Sequence, residues 1–223
     1  MHVQVRGRGL RPGEALARLS AVGILGGGFN PPHLGHLVLA QEAVAQLELE
    51  QVLFMPYGEP SHRALDDDPG AEVRLTMCEL VAGPDPRFEV SRIEVDRSGP
   101  VYTVDTLREL RDARPDDPLF LILGGDQAAS LRSWRSPEEV LSLAVVAVAE
   151  RDEWRRAEIV ERLGPLCSDE RLRFFDMPRI DISSSMVRLR ARVGRPIRYL
   201  VPDKVASYVE AQSLYGAAAG AVS

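Results

Sequence analysis

Cysteine is almost missing from this chain: Cys78 and Cys167 are the only two in 223 residues, and they stand far apart. That usage argues against a disulfide framework and against a zinc site built on cysteines. Long apolar runs are missing too, and none approaches the roughly 20 residues that cross a bilayer. No long block of one charge sign occurs, and the formal net charge is −6. The chain as a whole is therefore not a nucleic-acid-binding surface, although a local cationic pocket stays open. Residues 1–20 carry arginines and glycines but no apolar core of signal-peptide type. These absences point to a cytoplasmic protein whose partners include neither nucleic acid nor a membrane.

What is present suits a single large domain. Apolar residues make up 45% of the chain, enough for a sizeable core, and no internal repeat is evident. We expect a flexible N-terminal extension over 1–20, one domain over 21–214 and a flexible C-terminal tail over 215–223. Short apolar runs at 21–25, 51–56, 88–95, 119–123, 143–149 and 171–175 read as strands. Helical spacing covers 34–47, 71–82, 104–113 with Thr103 as N-cap, 136–141, 153–163, 184–193 and 202–211. Residues 57–70 read as a loop. Strands alternating with helices predict a doubly wound, Rossmann-like α/β fold around a parallel sheet of five to six strands. Ligands of such sheets sit beyond the carboxyl ends of the strands, where strand order reverses. Two predicted strands end in glycines, Gly26-Gly27-Gly28 and Gly124-Gly125, which would form a floor open to a ligand.

The strongest chemical signal is Gly26-Gly27-Gly28-Phe29-Asn30-Pro31-Pro32-His33-Leu34-Gly35-His36, between a buried strand and a helix. A helix start offers free N–H groups and the positive end of its dipole. His33 and His36 fall on its first turn, and Gly35 between them leaves room for a phosphate. A lone histidine is more often surface or satisfied core, and a metal pair would need a third ligand that the spacing does not supply. The whole string resembles the G-G-x-F-D-P-x-H-x-G-H motif of the H-x-G-H nucleotidyltransferases. A second signal, Ile182-Ser183-Ser184-Ser185-Met186-Val187-Arg188, alone would be a plain serine cap with a surface arginine. Beside the first motif it resembles that superfamily's I-S-S-[ST]-x-x-R element.

A third set narrows the resemblance. The stretch from Ser91 through Glu94, Arg97, Gly99, Tyr102, Thr103 and Asp105 to Leu107, followed by Gly124-Gly125-Asp126 and Trp134, is similar to bacterial nicotinate mononucleotide adenylyltransferases. The resemblance spans about Ala21 to Leu214. It implies transfer of the adenylyl group of ATP to nicotinate mononucleotide, giving deamido-NAD and pyrophosphate. It implies catalytic roles for His33 and His36. It assigns Gly27, Gly28, Phe29, Ser184, Ser185 and Arg188 to the ATP phosphates, and Tyr102, Thr103, Asp126, Trp134 and Arg63 to the acceptor. Mg2+ would arrive with ATP, held largely by phosphate and water and by no protein metal site. Homo-oligomerisation is left open. Alternative readings are a nicotinamide mononucleotide or pantetheine phosphate acceptor, a CTP-using reaction, or a non-catalytic nucleotide sensor. Two departures stand out: Asn30 takes the place of the usual Asp, and Gly28 that of the usual Thr.

Overall fold

A computed structural model describes residues 20–60, 65–150, 153–166 and 170–216. Eight strands are present among them: β1 (Val22–Gly27), β2 (Gln51–Pro56), β3 (Glu59–Pro60), β4 (Phe88–Val90), β5 (Pro100–Val101), β6 (Leu119–Gly124), β7 (Val145–Glu150) and β8 (Leu172–Asp176). Six of them form one sheet in the order β4-β2-β1-β6-β7-β8, with every pair parallel. The helices are α1 (Leu34–Leu47), α2 (Ala71–Ala82), α3 (Thr103–Ala113), α4 (Gly125–Ser130), α5 (Pro137–Leu143), α6 (Glu153–Leu163), α7 (Ser184–Arg192) and α8 (Asp203–Ala211). This is the expected doubly wound α/β architecture.

Alternation along each strand divides the core in two. Leu53 and Met55 of β2 face one side, where Leu107 of α3, Val140 of α5 and Ile159 of α6 cover them. Val52 and Phe54 face the other, against Ala40 and Val44 of α1, Met77 and Val81 of α2 and Val205 of α8. A parallel sheet with both faces covered is buried throughout, which is why its strands read as continuous apolar runs. From β1 the chain winds outward to β2 and β4; from β6 it winds the opposite way to β7 and β8. The β1–β6 seam is thus the switch point, and both strands end there in glycine.

Several sequence expectations need correction. The strand predicted over 88–95 stops at Val90. The chain then turns, because the Glu94 carboxylate points inward to accept from Thr106 (2.8 Å) while its carbonyl accepts from Gly58 (3.2 Å). Residues 59–60 and 100–101 pair as a small second sheet inside what reads as loop. Tyr102, not Thr103, occupies the N-cap position of α3. Leu143 belongs to α5, so β7 begins two residues later than its apolar run suggests. Helix α4, which starts on Gly125, carries no apolar repeat long enough to announce it. Tyr215, expected in the tail, is buried in the core that holds Val52 and Phe54. Residues 1–19, Arg63, Cys167 and 217–223 lie outside the described residues. Among those described, no helix is long and apolar enough to cross a membrane.

Candidate active site

The loop after β1 is built to hold two imidazoles in place. Phe29 adopts a positive φ of 47° and is buried, its ring against Phe54 (5.7 Å between centroids) and in a T-shaped contact with His36 (5.0 Å). His33 is the N-cap of α1, and its backbone N–H donates to Nδ1 of His36 at 3.1 Å. That bond decides the tautomer: with Nδ1 accepting, neutral His36 carries its proton on Nε2. The two rings stack 3.8 Å apart. Gly35 lines the cleft and also makes room for this stack. A Cβ there would stand 3.0 Å from Cε1 and Nδ1 of His33.

Burial pushes the His33 pKa down to about 4, and burial with the neighbouring His33 holds His36 well below its ordinary value. Both rings are therefore neutral near pH 7 and act as N–H donors without net charge. The folded state holds His33 below its unfolded pKa of 6.5. Its contribution to stability is complete above pH 6.5 and is lost as pH falls through about 4, to a total of about 3 kcal/mol. In NMR titrations of the free protein, the His33 ring signals should move with a midpoint near 4. A midpoint near 6.5 would contradict this burial.

Asn30 is 3% exposed and is the centre of a small polar network. Its Nδ2 donates to the Asp66 carbonyl (2.9 Å), and its Oδ1 accepts from the Tyr215 hydroxyl (2.7 Å). Its own carbonyl accepts from Nη1 of Arg188 (2.9 Å). An aspartate could keep the Tyr215 bond but would turn a carboxylate oxygen towards the Asp66 carbonyl. Although Asn and Asp share a shape, Asn30→Asp is therefore not silent. We expect it to lower stability by about 1–3 kcal/mol, read by denaturant titration. An unchanged midpoint would show that the Nδ2 donor is dispensable.

Helix α7 brings its N-terminus to the same loop. Ser183 is the cap, accepting from the Met186 N–H at 3.2 Å, which frees the next two serines from that task. Ser184 donates to the Pro31 carbonyl (2.8 Å), and exposed Ser185 accepts from Arg188 (3.3 Å). Arg188 is 8% exposed and lies 3.5 Å from the Asp67 carboxylate. The starts of α1 and α7, distant in sequence, thus meet on either side of residues 30–31.

Two cavities of small-ligand size open beyond β1 and β6. One, of about 400 Å3, is lined by Gly26, Gly27, Gly28, His33, His36, Gly124, Asp126 and Ile180. The other, of about 270 Å3, lies on the opposite side of the seam and holds Tyr102, Thr103 and Trp134 together with Glu94, Thr106 and Arg135. Asp126 thus parts from the other acceptor candidates. Helix α4 leaves β6 directly, so Asp126 faces the histidine cleft, while Gln127, one residue on, borders both cavities. The Trp134 indole N–H donates to Ser130 (3.2 Å), which fixes the ring at the wall. Arg135 stacks on Tyr102 with Cζ 4.6 Å from the ring centroid. Burial pushes the Glu94 pKa up, partly offset by its bond from Thr106 and by the charge of Arg97.

The sequence reading missed Arg74, Tyr57, Gln127 and Arg135. Arg74 is fully buried and ties the site together. Its guanidinium donates to the carbonyls of Gly28 (3.2 Å), Tyr57 (2.7 Å) and Gly58 (3.1 Å), and to Asp68 (2.9 Å). Its signal was a charge placed one turn before Cys78 and two before Val81 on the apolar stripe of α2.

The cytidylyltransferase-like family matches the chain over residues 24–190. A Corynebacterium kroppenstedtii protein named "Probable nicotinate-nucleotide adenylyltransferase" is 41% identical over 194 residues, which cover 87% of this chain and 90% of that protein. A Streptomyces coelicolor protein of the same name is 42% identical over 199 residues, covering 86% and 98%. Among solved structures, the nicotinic acid mononucleotide adenylyltransferase of Plasmodium falciparum complexed with NaAD superposes with a TM-score of 0.72 at 16% identity. That match covers 90% of this chain and all of the other, and it supports the fold.

Proposed function

Since this chain belongs to the cytidylyltransferase-like family and is grouped by its relatives with the nicotinate-nucleotide adenylyltransferases, we propose that it transfers the adenylyl group of ATP to nicotinate mononucleotide. The products are deamido-NAD and pyrophosphate, an intermediate and a by-product of NAD biosynthesis. The observation that carries this reading is a pair of cavities that share Gly26 in their walls, one with the stacked histidines and one with Trp134. ATP occupies the first and the pyridine nucleotide the second, so that their phosphates meet at the glycines.

A phosphate oxygen of the acceptor attacks the α-phosphorus in line. The new P–O bond forms as the bond to the β-phosphate oxygen breaks, and pyrophosphate leaves with that electron pair. Positioning and charge stabilisation dominate such a transfer. His36 offers Nε2–H to the developing charge, and His33 offers its ring beside it. The starts of α1 and α7 face the phosphates with their positive dipole ends. Arg188 and the serines at 184 and 185 take the β- and γ-phosphates, with Arg188 exchanging Asp67 for phosphate. Magnesium supplies charge neutralisation on the triphosphate when bound. Asp126 and Glu150 line this cleft beside the imidazoles, and an ion held largely by phosphate and water would ask little more of the protein.

In the acceptor cavity the ring stacks on Trp134, and its carboxylate meets the start of α3 at Thr103 with Arg135 nearby. The test is pyrophosphate release with ATP and nicotinate mononucleotide, nicotinamide mononucleotide or pantetheine phosphate. We expect the nicotinate nucleotide to lead the nicotinamide nucleotide by about tenfold or more in kcat/KM, because an amide leaves donors unpaired. Equal efficiency with both pyridine nucleotides would remove the carboxylate-reading role. Release with pantetheine phosphate alone would overturn the acceptor assignment.

A further inference from the structure

We propose that Tyr57 is a substrate-positioning residue whose hydroxyl donates to the acceptor phosphate where the two cavities join. The inference rests on the adenylyl-transfer reading above and adds to it a residue that no sequence motif marked.

Three of the described residues border both cavities: Gly26, Tyr57 and Gln127. Gly26 has no side chain, and Gln127 is exposed on α4. Tyr57 is half-buried at the end of β2, and its backbone is fixed from both sides. Its N–H donates to the Gly27 carbonyl at 3.3 Å, and its own carbonyl accepts from Arg74 at 2.7 Å. The Arg74 guanidinium lies 5.6 Å from the centroid of its ring. A side chain held this way can aim a hydroxyl at one place.

That place is above Gly28. A Cβ on Gly28 would stand 3.0 Å from the Tyr57 hydroxyl oxygen and 3.1 Å from Cδ2 of Leu65. Glycine at 28 therefore has a definite spatial consequence: it leaves the phenol room to lie over the backbone of the phosphate loop. Where the related motif carries a threonine hydroxyl on the loop, this chain brings one across from β2. An acceptor whose ring stacks on Trp134 must pass its phosphate over Gly26 towards His33, and its path runs beside Tyr57. A phenol suits that position, since its O–H group can both donate and accept a hydrogen bond.

The experiment is steady-state kinetics of Tyr57→Phe, with each substrate varied in turn and melting followed by circular dichroism. We expect kcat/KM for nicotinate mononucleotide to fall about 10-fold or more, the worth of one hydrogen bond to a charged group. The KM for ATP and the melting temperature should stay near wild type. Gly28→Ala, which crowds the hydroxyl, should lower the same constant in the wild-type background. It should cost much less in the Tyr57→Phe background, because the two residues act as a unit. An unchanged acceptor constant, an equal loss for both substrates, or fully additive losses in the double variant would each overturn the proposal. A failure of the acceptor assignment itself registers differently, as absent turnover of wild-type protein with nicotinate mononucleotide, and would overturn the proposal with it.

Discussion

His36→Ala should fold as wild type does and turn over about 10²–10³-fold more slowly, since removing one preorganised donor to developing negative charge costs that much. The reason lies in the ring's fixed geometry. His36 is held by the backbone N–H of His33 at Nδ1 and by the ring of Phe29 on one side. It needs no reorganisation to present Nε2–H. Its neutrality in the free protein, caused first by burial, means that it meets the developing charge as a fixed N–H dipole. His33→Ala should show a loss of the same order. Pre-steady-state quench measurements separate the chemical step from product release. A folded His36→Ala protein with a near-wild-type chemical step would remove the imidazoles from the mechanism.

Arg74→Ala should produce the largest loss of stability, about 3–5 kcal/mol, because it takes the donor away from three carbonyls and a carboxylate at once. Three carbonyls, those of Gly28, Tyr57 and Gly58, would lose their donor, and Asp68 would lose its ion-pair partner. For a chain of this length the melting temperature should drop by about 10 °C. Arg74→Lys should recover little, since one ammonium cannot reproduce a planar fork spread over three carbonyls and a carboxylate. The same contacts join the phosphate loop to the end of β2, so activity should fall well below the melting range. Thermal scans of both variants with activity at 20 °C decide the matter. A lysine variant as stable as wild type would show that charge alone, without the fork, organises the loop.

Much of this protein was legible as sequence because its signals are local. Strands buried on both faces read as apolar runs, and the glycines at their ends marked the seam of the sheet. The string from Gly26 to His36 announced its own strand, turn and helix start, and its resemblance named a chemistry. What is local in physics, hydrophobic periodicity and backbone freedom, can be read from neighbours in the chain.

Only the tertiary structure decided how that machinery is held. Neither the spacing of His33 and His36 nor their types tells that one backbone N–H fixes the tautomer, or that burial keeps both rings neutral. Asn30 reads as a weakened aspartate until Asp66 and Tyr215, 36 and 185 positions away, are seen to need both a donor and an acceptor from it. Asp126 and Trp134 stand in one motif but border different cavities, because helix α4 turns the chain between them. Arg74 looks like a charge misplaced on an apolar stripe, and its purpose appears only where three loops converge. Desolvation and hydrogen-bond satisfaction depend on which distant groups the fold brings within 3 Å, and no local pattern records that.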